Sequence, residues 1–305
     1  MLDLEEHSDT MDKTNNSHII PYVKHSTISE LLIVRVKSNY KLWGKYFRNT
    51  TFFGSGKIIE NEKKYNTIEI KTLFDFIKEI EIRKDDPNRI VLFRGQNTDK
   101  ALIPKIARHY FVKSREIDEK RMFNEFKLLA RPFLHQEFLS DIEWLIVAQH
   151  HGLPTRLLDW TENPLTALYF ATQKHPESGE QYSVVWVMSL NRESELLLND
   201  LLINPFELEK IKIFKPANFI QRITSQMGWL SIHNYYDKGF YGRTEDLESE
   251  NIRFTKIIIP NEYVSKLNKA LNLFGINEFS IYQDLDSLSK TIFKKYKKIT
   301  LTNKS

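Results

Sequence analysis

The sequence predicts an α+β fold with a mixed central sheet, flanking helices and a small N-terminal extension. Short apolar runs bounded by turn residues are typical of buried strands. Segments with capping residues and helical spacing lie between and after these runs. The strands and helices do not alternate in the regular rhythm of a doubly wound sheet, which favours the α+β class.

The composition predicts a folded, soluble chain without thiol chemistry. Of 305 residues, 41% are hydrophobic and 28% are charged, which is enough apolar surface for a core. The net charge of +4 does not demand a nucleic-acid partner. The absence of cysteine excludes disulfides and cysteine-ligated metal centres. Because no run approaches roughly 18 apolar residues and the first residues are acidic, we expect a cytoplasmic protein without membrane contact.

Three parts of the chain differ from the main domain in composition. Residues 1–30 are polar and without periodicity, and we expect a mobile leader there. Residues 31–66 are expected to form a small β-containing extension, because residues 52–59 have a strand-turn-strand pattern. Residues 294–305 are rich in lysine and are expected to form a basic C-terminal tail.

The main domain begins with a predicted helix and strand. Thr72 is a good N-cap for a helix with Phe76 and Ile80 on one face. The apolar run 90–93 predicts a strand whose C-terminal end lies at the sheet edge where open sheets usually bind ligands. Three residues follow directly at that end, namely Arg94, Gly95 and Gln96.

The next segments predict helices with clear boundaries. A helical region is interrupted by Pro104 and Pro132. A second helix begins at Ser140, which forms a capping box with Glu143, and ends at Gly152.

Residues 152–164 predict a loop, a short extended segment and the start of another helix. Asn163 is its N-cap and Pro164 its first helical residue. The remaining predicted elements are strands at 184–188, within 221–233 and at 257–259, and helices at 262–274 and 285–297.

Several motifs together resemble the FRG domain family, which is named for its Phe-Arg-Gly motif. They are Phe93-Arg94-Gly95-Gln96, the run from Gln149 to Thr161, and Asn163-Pro164-Leu165 leading to Ala171. The resemblance covers residues 67–293 and implies the family's fold. It implies little chemistry, because FRG domains are known mainly as uncharacterised bacterial and phage modules.

The residues themselves predict a cleft for a nucleotide or another anionic small molecule. The Arg94 guanidinium suits a phosphate or carboxylate, and Gly95 would let a ligand approach the backbone. The helix that begins after Asn163 offers free N–H groups and the positive end of its dipole. The residues predicted to bind the ligand are Arg94, Gly95, Gln96, Thr155, Arg156 and Asn163.

These residues also have a purely structural interpretation. Arg94 could form an ion pair with Asp159 that only holds the fold together. Asp159, Thr161 or Asn163 could be an ordinary helix cap. The sequence leaves both interpretations open.

The order of motifs also resembles that of ADP-ribosyltransferases with an Arg-Ser-Glu pattern, which bind NAD. The resemblance implies an ADP-ribosyltransferase-like fold and NAD as a candidate cofactor. It places Arg94 first, Thr155 or Thr161 second and Gln226 third. An amide at the third position lacks the negative charge of glutamate, so nucleotide binding is better supported than transfer. The catalytic residues implied are Arg94, Asp159, Thr161 and Gln226.

Other residues carry weaker hypotheses. Glu245, Glu248 or Glu250 could supply the missing acid, but their charged segment is typical of a solvated loop. His150 and His151 point about 100° apart on one helix, so we expect no metal site.

Several functions therefore stay open. One is a nucleotide-binding, ADP-ribosyltransferase-like enzyme or effector with a protein target, and another is a non-catalytic module that recognises a protein or phage component. A metal-dependent nuclease is a remote alternative, based on the short sequence from Ile68 to Lys71 with Glu60 upstream.

Overall fold

The computed structural model describes residues 50–52, 58–60, 65–108, 115–134, 140–173, 181–216, 228–236, 240–249 and 251–302. All of these residues belong to the compact unit Arg48–Ser305. The predicted leader, residues 1–30, lies outside the described residues.

The described residues form eleven strands. In chain order they are β1 (Thr50–Phe52), β2 (Ile58–Glu60), β3 (Asn66–Glu69), β4 (Arg89–Gln96), β5 (Leu157–Thr161), β6 (Tyr182–Asn191), β7 (Lys212–Phe214), β8 (Gly228–Ile232), β9 (Tyr235–Tyr236), β10 (Phe240–Tyr241) and β11 (Ile252–Pro260).

Seven of these strands form the central sheet, in the order β3-β11-β6-β4-β5-β8-β7. The pair β3–β11 is parallel and every other neighbouring pair is antiparallel. The predicted α+β class with a mixed sheet is therefore confirmed. The strands β1 and β2 form a separate antiparallel pair, which agrees with the strand-turn-strand pattern of the extension.

Eight α-helices accompany the strands in the described part of the chain. They are α1 (Leu73–Lys84), α2 (Lys105–Arg108), α3 (Arg115–Ala130), α4 (Asp141–His150), α5 (Pro164–Thr172), α6 (Asn261–Leu273), α7 (Glu278–Tyr282) and α8 (Leu285–Thr302). The last helix extends into the residues predicted to form a basic tail. None of the helices in the ranges given above combines the length and apolar character needed to cross a bilayer.

The predicted helix starts are confirmed by their capping contacts. Thr72 caps α1 in a capping box with Asp75, and Ser140 caps α4 in a capping box with Glu143. Asn163 caps α5 with Pro164 as its first residue. Short polar side chains at these positions satisfy backbone N–H groups that have no partner inside the helix.

Both faces of the sheet are covered by apolar side chains. On one face, Phe93 and Val185 pack with α1, α5 and α6. On the other face, Leu92 and Trp186 belong to a second buried cluster. A third cluster joins α4 to the β5–β8 side of the sheet. Burial on both faces explains why β4 and β6 have nearly continuous apolar sequences.

The strands β4 and β5 separate soon after they meet. β4 pairs with β6 over eight residues, but its register with β5 consists of the single pair Phe93↔Thr161. Beyond Phe93, the backbone of β5 therefore lacks a regular ladder partner on this side. This separation positions the candidate site.

Gly95 allows α5 to pack directly on β4. A Cβ atom at this position would lie 1.8 Å from the carbonyl oxygen of Ala167 and 2.7 Å from the nitrogen of Ala171. The sequence predicts that this glycine admits a ligand to the backbone. In the structure the helix backbone fills the space where its side chain would stand, so helix packing is what requires glycine here.

We predict that Gly95→Ala destabilises the protein by about 3 kcal/mol, the upper end of the usual cost of overpacking, because the methyl group would meet backbone that cannot rotate away. The control is Gly275→Ala, where the added Cβ has open space but φ is +80°. Its cost should be about 1 kcal/mol, from the left-handed backbone alone. Urea unfolding of both variants measures the difference, and equal costs would contradict the packing argument.

Candidate functional site

A pocket of about 250 Å³ lies where β4 and β5 separate. The strands β4, β5 and β8 and the helices α4 and α5 all contribute to its lining. Apolar groups are more numerous than ionisable ones, as in most small-molecule sites. The lining residues are Phe93, Arg94, Gly95, Ile146, Gln149, His150, Asp159, Trp160, Thr161, Thr166, Ala167, Phe170 and Leu230.

Arg94 spans the gap between the separated strands. Its Nη1 donates a 2.7 Å hydrogen bond to the backbone oxygen of Asp159 and lies 3.9 Å from the Asp159 carboxylate. The guanidinium thus takes the place of a strand hydrogen bond at the end of the β4–β5 ladder. Burial lowers the pKa of Arg94 to about 10, and the charge of Asp159 opposes that change. Arg94 is therefore a cation at neutral pH, and part of its role is structural.

The carboxylate of Asp159 is held in place yet reachable from solvent. Gln149 Nε2 donates to Asp159 Oδ1 at 2.7 Å, and Thr155 Oγ1 donates to Gln149 Oε1 at 2.5 Å. Asp159 keeps 70% of its side chain exposed. The sequence predicts Thr155 as a ligand contact, but this buried residue is not part of the pocket lining and acts through Gln149.

A second arginine lies near this carboxylate. The charges of Arg108 and Asp159 attract, whereas Arg108 and Arg94 repel each other and the repulsion further lowers the pKa of Arg94. Arg108 is exposed on α2, where its Nη2 donates to the oxygen of Ile103. The charge of Asp159 therefore acts on both guanidinium groups, of which only Arg94 lines the pocket.

The start of α5 is occupied by its own cap. Asn163 Oδ1 accepts hydrogen bonds from the backbone nitrogens of Leu165 and Thr166, at 3.0 and 3.3 Å. Thr161 Oγ1 accepts one from the nitrogen of Asn163. The sequence predicts that these N–H groups bind an anion through the helix start. The cap already satisfies them, so Asn163 has a structural role.

Arg156 has a structural role rather than the predicted role in ligand binding. Its guanidinium is fully buried and donates to the carboxylate of Glu119, with Nη2 at 2.7 Å from Oε2. Its Nη1 donates to the oxygen of Pro205, and Tyr241 also donates to Glu119. Burial together with these contacts leaves Arg156 out of the pocket lining.

Gln96 lies on the opposite face of the sheet from Phe93 and is also absent from the pocket lining. It is buried, and its Oε1 has no hydrogen-bond partner among the described residues. The same is true of Trp186 Nε1, which belongs to the strand paired with β4. The structure therefore provides no pocket contact for Gln96.

His233 is connected to the pocket residue Trp160 through Ser231. Trp160 Nε1 donates to Ser231 Oγ, which lies 3.1 Å from His233 Nε2, and His233 Nδ1 lies 2.8 Å from the oxygen of Gly242. Because a carbonyl oxygen only accepts, Nδ1 carries the proton. Burial lowers the pKa of His233 to about 4, so the ring is neutral. The network orients the buried Trp160 side chain on the face of the sheet opposite Phe93.

Glu245 is buried, which corrects the expected solvated loop. It lies in a 3₁₀ turn, Thr244–Leu247, and both carboxylate oxygens accept from the nitrogen of Leu102, at 3.0 and 3.2 Å. Desolvation raises the pKa of Glu245 to about 7, although the charge of Arg243 opposes that change. Glu245 does not line the pocket.

Several sequence hypotheses fall outside the described residues. Gln226, predicted for the third catalytic position, is one of them, and Glu250 is another. Within the described ranges, no group of three or more His, Asp or Glu side chains could hold a metal ion.

Sequence reasoning missed several residues of this region. Gln149 belongs to a quoted motif but received no role, although its position as the second-last residue of α4 was a usable signal. Thr166 and Phe170 are four residues apart and so share a face of α5. Glu119 gave no signal, because a single acid in a charged helix does not reveal a distant buried partner.

Residues 89–180 match the FRG domain. This range includes every residue of the pocket lining except Leu230. Neither the curated proteins nor the solved structures gave a match.

We predict that Arg156→Met destabilises the protein by about 3–5 kcal/mol, because it leaves the buried Glu119 carboxylate without its charge partner. Adding Glu119→Leu should recover much of this loss, since no unpaired charge then remains. Denaturant unfolding of both variants measures the recovery. If Arg156→Met alone lowered the free energy of unfolding only slightly, the structural role assigned to Arg156 would be wrong.

We predict that Glu245→Gln raises the free energy of unfolding relative to wild type by more at pH 8 than at pH 4. The carboxyl pKa is raised from 4.5 to about 7, so the folded state binds more protons in this interval and wild-type stability falls as pH rises. The gain of the variant over wild type should grow by roughly 1–3 kcal/mol across the interval. The exposed Glu193→Gln is the control.

His233 makes the free energy of unfolding change with pH in the opposite direction, and it does so equally in wild type and in Glu245→Gln. Its lowered pKa makes stability fall as pH falls from 6.5 towards about 4. This contribution cancels when wild type and variant are compared at each pH. A difference that stays constant with pH would refute the raised pKa of Glu245.

Proposed function

We propose that this chain, whose residues 89–180 match the FRG domain, binds a nucleotide in the pocket between β4 and β5, with NAD as the ligand to test first. The observation that carries the proposal is an exposed carboxylate, Asp159, held by Gln149 and Arg94 beside a pocket lined by Phe93 and Phe170. Such a combination suits a ligand with both a ring and charged groups.

The pocket suits one part of a nucleotide rather than all of it. Its volume of about 250 Å³ is below the roughly 300–1,000 Å³ of sites that enclose drug-sized ligands. A base or a nicotinamide ring would lie against Phe93 and Phe170, which belong to the same buried cluster on one face of the sheet. The sugar and phosphates would then extend past Asp159.

The two arginines supply the positive charge for phosphate groups. Because the N–H groups at the start of α5 are capped, the helix start does not provide it. Arg94 is largely buried and rigidly placed, whereas Arg108 is exposed. We assign phosphate attraction to Arg108 and to the remaining donors of Arg94.

Asp159 would be the catalytic residue of an ADP-ribosyltransferase-like reaction. When the bond between ribose and nicotinamide breaks, its electron pair leaves with the ring and positive charge develops on the ribose. A nearby carboxylate stabilises that charge. Water or a hydroxyl of a target then adds to the ribose carbon and loses a proton.

The runner-up is a non-catalytic recognition module. It is favoured by the structural contacts of Arg94 and Asn163, which are already satisfied within the protein. In this alternative the same motif residues only hold the fold together.

We predict that NAD raises the melting temperature of the wild-type protein, because binding to the folded state alone must stabilise it. At about 100 times Kd the stabilisation is about 2.7 kcal/mol. Asp159→Asn should keep the Gln149 contact and most of the binding, but lose NAD cleavage measured as released nicotinamide. The matched control is Asp85→Asn, an exposed residue at the end of α1.

The outcomes separate the alternatives. Binding without cleavage would support a nucleotide-binding module and remove the catalytic role of Asp159. No shift with NAD or with a panel of other nucleotides would overturn the proposal and leave the recognition module. Equal loss of cleavage in both Asp variants would mean that the effect does not arise at the pocket.

A further inference from the structure

Two threonines of α5 are buried to a similar extent but differ in what their hydroxyl groups contact. Thr166 keeps 2% of its surface exposed, and Thr172 keeps 3%. The Thr172 hydroxyl donates to the backbone oxygen of Leu168 at 2.9 Å and lies 3.4 Å from that of Tyr169. A threonine in a helix commonly satisfies its hydroxyl through such a bond to the preceding turn. The Thr172 hydroxyl is therefore paired within its own helix.

The Thr166 hydroxyl has no hydrogen-bond partner among the residues that the structure describes. The backbone oxygen four residues earlier, that of Glu162, accepts from Lys84 Nζ at 3.0 Å. The oxygen three residues earlier, that of Asn163, accepts from the nitrogen of Ala167. Both oxygens that Thr166 could use within its helix thus have another donor. Its hydroxyl is left for a partner outside the helix.

This hydroxyl is open to the pocket between β4 and β5. Thr166 belongs to the pocket lining, and its Oγ1 is not one of the fully enclosed, unpartnered polar atoms of the described ranges. The small exposed part of Thr166 therefore includes this oxygen. Because the group is largely removed from bulk water, a ligand that hydrogen-bonds to it gains more than one that leaves it unpaired. In a mostly apolar pocket, such a group determines which ligand fits.

Thr166 lies beside the place that we assign to the ligand ring. It is about one helical turn before Phe170, so the two residues share a side of α5. Phe170 and Phe93 both line the pocket and are the aromatic side chains against which the ring would lie. A ring held between apolar side chains keeps the substituents on its edge available to a neighbouring hydroxyl.

We propose that Thr166 selects the ligand by donating a hydrogen bond to a carbonyl group on this ring, such as the carboxamide carbonyl of NAD. The inference rests on the proposed function and adds the chemical class of the ring. A threonine hydroxyl has one proton to donate, and a carbonyl oxygen accepts it. A ring without this acceptor leaves the hydroxyl unpaired in the pocket and binds less tightly. Thr166 is thus the residue that determines specificity for the ring.

The test compares NAD with an analogue whose pyridine ring lacks the carboxamide. Isothermal titration calorimetry measures the Kd of both ligands for wild type and for Thr166→Val, which keeps a branched side chain and removes the hydroxyl. Thr166→Val should weaken NAD binding about fivefold, as expected for the loss of one neutral hydrogen bond. It should leave the Kd of the analogue unchanged. Thr166→Ser keeps the hydroxyl and should keep the preference for NAD.

Thr172→Val is the matched control, because it is the same change on the same helix at a residue outside the pocket lining. It removes a paired hydroxyl, so it should lower the melting temperature of the protein without ligand and leave the Kd of NAD unchanged. Thr166→Val removes an unpaired hydroxyl and should not lower the melting temperature. A clear decrease for Thr166→Val would mean that its hydroxyl is already paired in the folded protein, and the proposal would then be wrong.

The binding data separate this inference from the proposed function. Equal NAD affinity of wild type and Thr166→Val would overturn the inference and leave the proposed function intact. Equal weakening of NAD and of the analogue would also overturn it, because the hydroxyl would then not act through the carbonyl. A wild-type protein that binds no nucleotide at all would overturn the proposed function and this inference together.

Discussion

The packing of α5 on β4 at Gly95 is the constraint on which the candidate site depends. With no Cβ on this glycine, the carbonyl of Ala167 lies within 2 Å of where that atom would be, so helix and strand are as close as backbones allow. The same helix then brings Thr166 and Phe170 beside Asp159 and Trp160. Since the β4–β5 ladder has only one pair, the pocket exists because α5 and α4 hold the two strands while Arg94 bridges them.

The polar residues of the FRG region divide into two groups by what satisfies them. Arg156 has a buried partner inside the chain and Asn163 caps a helix, so substituting either residue would lower the stability of the fold. Asp159 instead keeps a largely exposed carboxylate, although Gln149 and Arg94 orient it. A charged group that internal contacts hold in place, but whose oxygen atoms stay accessible, can act on a ligand.

Sequence reasoning predicted local structure better than side-chain roles. The starts of α1, α4 and α5 followed from capping residues because capping depends on neighbours only three positions apart. The role of Gly95 and the burial of Glu245 depend on α5 and on Leu102, which are distant in sequence, so no local pattern could show them. The pocket followed in part: Arg94, Asp159 and Thr161 were identified, whereas Gln149 was quoted without a role.

The FRG motif residues therefore include some that stabilise the fold and some that are available to a ligand. Gly95, Asn163 and Arg156 are explained by packing, capping and a buried ion pair. These contacts serve the fold of this chain and carry no information on what it binds. Arg94 belongs to both groups, because one nitrogen completes the sheet while the charge remains beside Asp159. Asp159, the exposed residue that Gln149 and Arg94 orient at the pocket, is thus the position that most directly separates a shared fold from a shared chemistry.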